Sequence, residues 1–147
     1  MYPDFPEGKR YNTFVGYYKR IYGERLQKLV IDAGFTSPNR DGIVGRGGCS
    51  FCDNAAYHPG YSVPGKSIAD QIDEGISFHR VRYRNTRHWL AYFQSYSNTS
   101  AARARLVELY PEDLSHPSLV GMDIGPRLEC VYVEKLDWLA YLMDGLA

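Results

Sequence analysis

The chain has 147 residues, 44% of them hydrophobic, enough for one domain: at this size folding buries roughly 68 to 70% of the unfolded surface. Its 17 basic and 17 acidic residues balance, which excludes a whole-molecule field that would recruit nucleic acid or an anionic membrane. No stretch approaches the ~20 consecutive apolar residues of a membrane span, and Met1 to Tyr11 carry prolines and charges where a signal peptide has an apolar core, so a cytoplasmic protein with no membrane attachment is expected.

In chain order, residues 1–25 read as an N-terminal helical extension. Asn12 or Thr13 can cap a helix through about Glu24, with Phe14, Tyr17, Tyr18, Ile21 and Tyr22 as a broad apolar stripe and Gly23 near its end. Leu26 to Ala33 is a short run rich in leucine, valine and isoleucine, better suited to a strand than a helix. From 34 to 65 the pattern gives way to a loop of about thirty residues, far beyond the ~12 to 15 usual in compact domains, and such loops are commonly functional. Ser67 and Asp70 form a variant capping box, and Ile68, Ile72 and Ile76 recur at helical spacing, predicting a helix from Ser67 to about Tyr83. His88 to Gln94 is the second strand, followed by the polar turn SYSNTS. A helix over about 101–110 ends at Pro111, Ser118 to Ile124 is the third strand, and Val133 to Leu146 is the last helix.

Strands alternating with helices predict an α/β fold with a parallel sheet, whose functional groups collect at the carboxyl ends of the strands. Those ends are the 34–65 loop, SYSNTS and GPRLEC. The first holds Cys49 and Cys52 in CxxC spacing, which lets two thiolates reach one metal centre, with Gly42, Gly45, Gly47 and Gly48 giving the backbone freedom to turn around it. Three cysteines are an odd count and too few for a disulfide framework, so metal or redox chemistry in a reducing compartment is the reading. A zinc site would need about four ligands, with His58 a third. A thioredoxin-like role would need CxxC at a helix start directly after a strand. Elsewhere, Arg80, Arg82, Arg84 and Arg87 around Tyr83 read either as RNA phosphate contacts or as a solvated helix end, and Cys130 either as a third metal ligand or as a buried thiol. His79, His88 and His116 read as ordinary surface or core histidines.

KLVIDAGFTSPNRDGIVGRGGCSFCDN, KSIADQIDEGI, YFQSYSNT and VGMDIGPRLEC, in this order, resemble the radical S-adenosylmethionine (SAM) superfamily, and within it the uncharacterised branch related to the elongator catalytic subunit. The resemblance implies a 4Fe–4S cluster held by three cysteines, with SAM chelated by the fourth iron. Reductive cleavage of SAM then gives a 5'-deoxyadenosyl radical that abstracts hydrogen from substrate. It implies Cys49 and Cys52 as two ligands, Phe51 beside the SAM adenine, and Gln94, Tyr96, Asn98 and Thr99 near the SAM amino group. It also implies an electron donor such as flavodoxin or ferredoxin and a substrate that analogy alone makes nucleic-acid-related. In that frame the chain is a single truncated core domain, 1–147, with 34–65 as its cluster-binding loop. Its three parallel strand–helix units are half of a partial (β/α)6 barrel of TIM type, and Asp123, Arg127 and Glu129 point toward substrate.

The pattern departs from the family at three places. The first family cysteine falls at position 37, where FTCPNRDG reads FTSPNRDG. Ser37 offers a hard hydroxyl of high pKa in place of a thiol, so the expectation is a labile cluster, a two-iron or three-iron form, or none. IGTRPDC reads IGPRLEC, and SNTYAP reads SNTSAA. Two other readings therefore stand beside the enzyme: a non-catalytic remnant that associates through an open sheet edge, and a small zinc module built on the CxxC pair.

Overall fold

The computed structural model describes residues 10–50, 53, 56, 58–94, 115–126 and 130–144, residues 142–144 by backbone alone. Thr13 caps α1, Phe14–Tyr22, by accepting the Gly16 N–H on its hydroxyl. The helix stops at Gly23, slightly short of Glu24, because Gly23 takes a left-handed φ of 73° and turns its N–H back to the Lys19 carbonyl. β1, Leu26–Val30, ends before Ala33, although Ile31 N–H still reaches the Tyr92 carbonyl at 2.9 Å.

The long loop is not featureless: it opens with the one-turn helix α2, Pro38–Asp41, which the sequence pattern did not predict. Four residues cannot show a 3.6-residue periodicity, so no hydrophobic signal marks it. α3, Ile68–Arg80, is capped by Ser67 Oγ accepting the Asp70 N–H at 3.0 Å. It ends before the predicted Tyr83 because Arg82 and Tyr83 both donate to the His79 carbonyl, closing the chain into a turn. β2 is His88–Phe93 and β3 is Leu119–Ile124. α4, Val133–Asp144, closes the described chain. The predicted helix at 101–110 lies outside the described residues.

The three strands form one sheet in the order β1-β2-β3, both pairs parallel. Leu29 faces Ala91 and Phe93 faces Ile124, so odd positions of β1 and β2 share one face. On that face Leu29, Ile31, Trp89, Ala91 and Phe93 meet Ile68, Ile72 and Ile76 of α3 and Trp138 of α4 in a single buried cluster. α3 thus serves as the crossover that parallel pairing of β1 with β2 demands. The opposite face carries Lys28, Tyr92 and Asp123. Lys28 Nζ pairs with Asp123 across β2, lying 3.9 Å from the centre of the Tyr92 ring and 4.8 Å from that of Phe14 on α1. The expected α/β class with parallel strands is the observed one. Among the described residues no helix is long and apolar enough to cross a membrane.

Candidate site at the carboxyl rim

Because both strand pairs are parallel, the segments following β1, β2 and β3 leave the sheet from one edge. The exit of β1 is clamped. Asp32, buried just past the ladder, donates its N–H to Gln71 Oε1 at 2.9 Å and receives Gln71 Nε2 on its carbonyl at 2.9 Å. Backbone groups buried beyond a ladder need such partners, and a primary amide supplies both from one side chain. The Asp32 carboxylate accepts the Gly34 N–H at 2.8 Å on Oδ1. Its Oδ2 is buried 3.5 Å from His58 Nδ1, a ring nitrogen that also contacts the Ser62 carbonyl at 3.2 Å.

From this exit the chain folds a compact module, residues 37–49. Ser37 occupies the cap position of α2, and its carbonyl accepts the N–H groups of Arg40 and Asp41, while its hydroxyl makes no capping bond. Pro38 fits the first helical turn, where its missing N–H costs nothing. Gly42 ends the helix at φ 98°, and the chain doubles back: Val44 and Gly45 donate to the Pro38 carbonyl, and Gly48 donates to the Asn39 carbonyl at 3.0 Å. The result brings Cys49 against the turn that starts at Ser37, with Asn39 Nδ2 3.1 Å from Cys49 Sγ. An N–H donor aimed at sulfur is the kind of neighbour that orients and tunes a thiolate ligand.

Gln94 follows β2 at the same rim and is half-buried. Gly125, after β3, donates to the Phe93 carbonyl at 2.9 Å; a side chain on Gly125 would bring Cβ within 3.3 Å of that oxygen. The last two strand exits therefore pack backbone against backbone. Cys130 is buried at the approach to α4, and its carbonyl receives Lys135 Nζ at 3.4 Å. Phe51, Cys52, Tyr96, Asn98, Thr99, Arg127 and Glu129 lie outside the described residues. Among the described residues no three of His, Cys, Asp and Glu gather as a metal site.

The arginine-rich stretch is not part of this rim. Arg87 makes two bonds to Glu24 Oε2, at 2.9 and 3.1 Å, just before β2 begins, at the amino end of the sheet. These bonds, with His88, hold the Glu24 carboxyl below its ordinary range. Sequence reasoning missed Asn39 and Gln71. Gln71 did leave a signal, since it sits beside Ile72 and Ile68 on the apolar face of α3, where an amide needs a reason. Asn39 left none beyond its place in PNRDG.

No family model matches the chain, and no solved structure matches it. It is similar to protein YhcC of Escherichia coli, with 38% identity over 137 residues that cover 92% of this chain and 42% of YhcC. The uncharacterized protein YtqA of Bacillus subtilis is 34% identical over 142 residues, covering 92% of this chain and 42% of YtqA. The uncharacterized protein MJ0486 of Methanocaldococcus jannaschii is 28% identical over 144 residues, 96% of this chain and 43% of that protein. The chain thus spans less than half the length of the curated relatives it matches.

Proposed function

We propose that this chain builds the cluster- and SAM-binding half of a radical SAM core, the first three units of a partial (β/α)6 barrel, with a weakened cluster site. The observation that carries the reading is the folded module at 37–49: position 37 stands at the cap of α2, and the chain doubles back so that Asn39 Nδ2 meets Cys49 Sγ. The order of motifs around it supports the same reading. Cys49 and Cys52 are the thiolates that would hold the iron–sulfur cluster, and Gln94, Tyr96, Asn98 and Thr99 are the polar groups for SAM, with Phe51 beside the adenine.

A bound cluster would supply the electron that cleaves SAM, delivered by a donor such as flavodoxin or ferredoxin. The residues themselves do simpler work. The Asp32–Gln71 clamp fixes where the loop leaves the sheet, and the glycine turns hold Cys49 beside the α2 turn. The donor set fits a soft metal at Cys49, but Ser37 gives oxygen where a third thiolate belongs. Substrate class rests on analogy to the elongator subunit and is nucleic-acid-related only in that sense.

The test is anaerobic reconstitution with iron and sulfide, read by iron content and EPR, on the native chain and on Ser37→Cys. The expected result is a stable cluster in Ser37→Cys and a labile or iron-poor one in the native chain. Absence of any cluster in both sinks the proposal. Stoichiometric zinc lost on replacing Cys49 or Cys52 would favour the zinc module instead.

A further inference from the structure

The arginines around Tyr83 take no part in the carboxyl rim and lie at the other end of the sheet. α3 ends there when the Arg82 and Tyr83 N–H groups both bond to the His79 carbonyl, and the Thr86 N–H closes onto the Tyr83 carbonyl at 3.1 Å. That second turn puts Arg84 at an exposed corner. The Tyr83 ring stacks on His79 at 6.1 Å, and the His79 ring lies 6.3 Å from that of Trp89, which has no solvent exposure. Tyr83 is therefore rooted in the core.

Two guanidinium groups stand over this ring. Arg25, which enters from the start of β1, lies 4.4 Å from its centre, and Arg82 lies 5.6 Å from it. A helix end that attracts cations through its dipole accounts for Arg80 and Arg82 but not for Arg25, which another element delivers. Contact with a ring face holds a guanidinium without consuming its N–H donors, which stay open to an anion. Arg25, Arg82 and Arg84 are all exposed, and among the described residues none has a carboxylate within ion-pair distance. The neighbouring acid is already committed, because Glu24 gives Oε2 to Arg87 and Oε1 to His88. A chain of balanced charge thus carries a local positive surface with unspent donors.

Such donors fit phosphate, whose oxygens a guanidinium matches in pairs. Arg25 adds a second property: its planar group, backed by the tyrosine ring, offers a face on which a base can stack. A phospholipid headgroup makes no use of that face, and a base inside a duplex is already stacked on both sides. We infer that Arg25, Arg82, Arg84 and Tyr83 form a docking surface for a single-stranded nucleic acid, with phosphates on Arg82 and Arg84 and an unpaired base on Arg25. The surface does not depend on iron, sulfur or SAM, so it stands or falls separately from the cluster reading.

The experiment is fluorescence anisotropy of a short labelled oligouridylate, and of an oligodeoxythymidylate of equal length, on the 147-residue chain. Each phosphate contact on a single strand adds about 0.7 to the salt slope, so two contacts predict roughly a sevenfold loss of affinity between about 50 and 200 mM salt. Arg82→Gln with Arg84→Gln is expected to remove most of that salt dependence. Arg25→Lys keeps the charge but loses the plane, and is expected to weaken binding at least roughly fivefold at an unchanged slope. Arg46→Gln with Lys66→Gln, two cations from the loop that follows β1, is expected to leave binding as it was. Absence of binding to either strand overturns the inference. An equal loss in the Arg46 and Lys66 variant puts the strand elsewhere and overturns it too. So does a duplex bound as tightly as the single strand, or binding to phosphatidylserine vesicles, lost in Arg82→Gln with Arg84→Gln, while both oligonucleotides stay unbound.

Discussion

The clamp at the β1 exit gives the sharpest quantitative test of how this fold presents its cysteine loop. Gln71→Met keeps an unbranched side chain of similar length in a site with no solvent exposure, and removes both hydrogen bonds to the Asp32 backbone and a third to the Lys66 carbonyl. Each buried backbone group left without a partner costs about 1 to 3 kcal/mol, so the two at Asp32 cost roughly 4 kcal/mol together. The apolar thioether recovers about 1 kcal/mol by its own burial, leaving a net loss of about 3 kcal/mol. Unfolding entropy for 147 residues makes that a drop in Tm of about 10 °C. Thermal unfolding followed by circular dichroism measures the global loss, and hydrogen exchange at the Asp32 amide measures the local one. A Tm loss under about 3 °C with the Asp32 amide still protected would refute the reasoning, because another partner would then hold the loop exit.

Two further outcomes follow from the same geometry. Gly48→Ala forces a Cβ onto a backbone at φ 87° and within 2.9 Å of Arg40 Nη2; the guanidinium end can swing aside but the left-handed backbone cannot, so a loss of about 1 to 2 kcal/mol is expected in urea unfolding, with faster tryptic cleavage at Arg40 and Arg46. An unchanged cleavage rate would mean that the turn does not hold the module. Burial pushes the Tyr61 phenol up to about 12 from the ordinary 10.0, so its contribution to stability is fully present below about pH 10 and is lost as pH rises through about 12. Two units correspond to roughly 2 to 3 kcal/mol, read from urea midpoints at rising pH, and Tyr61→Phe is expected to flatten most of that fall. Tyr18, also raised mainly by burial, adds a residual slope of the same sign.

Long-period features were legible in the sequence. The isoleucines of α3 recur every fourth residue, and the Thr13 and Ser67 caps each sit where a polar side chain precedes a periodic run. The strands were legible from their aliphatic runs, and their alternation with helices implied parallel pairing, as observed. What was misjudged is short: β1 stops at Val30 because the chain must turn into the clamp, and α2 is a single turn held by its own carbonyls. Local hydrogen bonding decides such pieces, and it leaves little trace in hydrophobic pattern.

For the candidate site, the sequence alone determined which residue types stand where: the cysteines, the serine at position 37 and the polar residues after β2. Those are properties of residue type and spacing, which no folding event alters. Only the tertiary structure decided that Asn39 reaches the Cys49 sulfur, that Gln71 holds Asp32 from another element, and that Lys28 and Asp123 pair across an intervening strand. The last two join residues 39 and 95 positions apart, and Asn39 meets Cys49 only because three glycine turns fold the chain back. Contacts at such separation depend on which faces pack together, and packing is a property of the assembled sheet and helices.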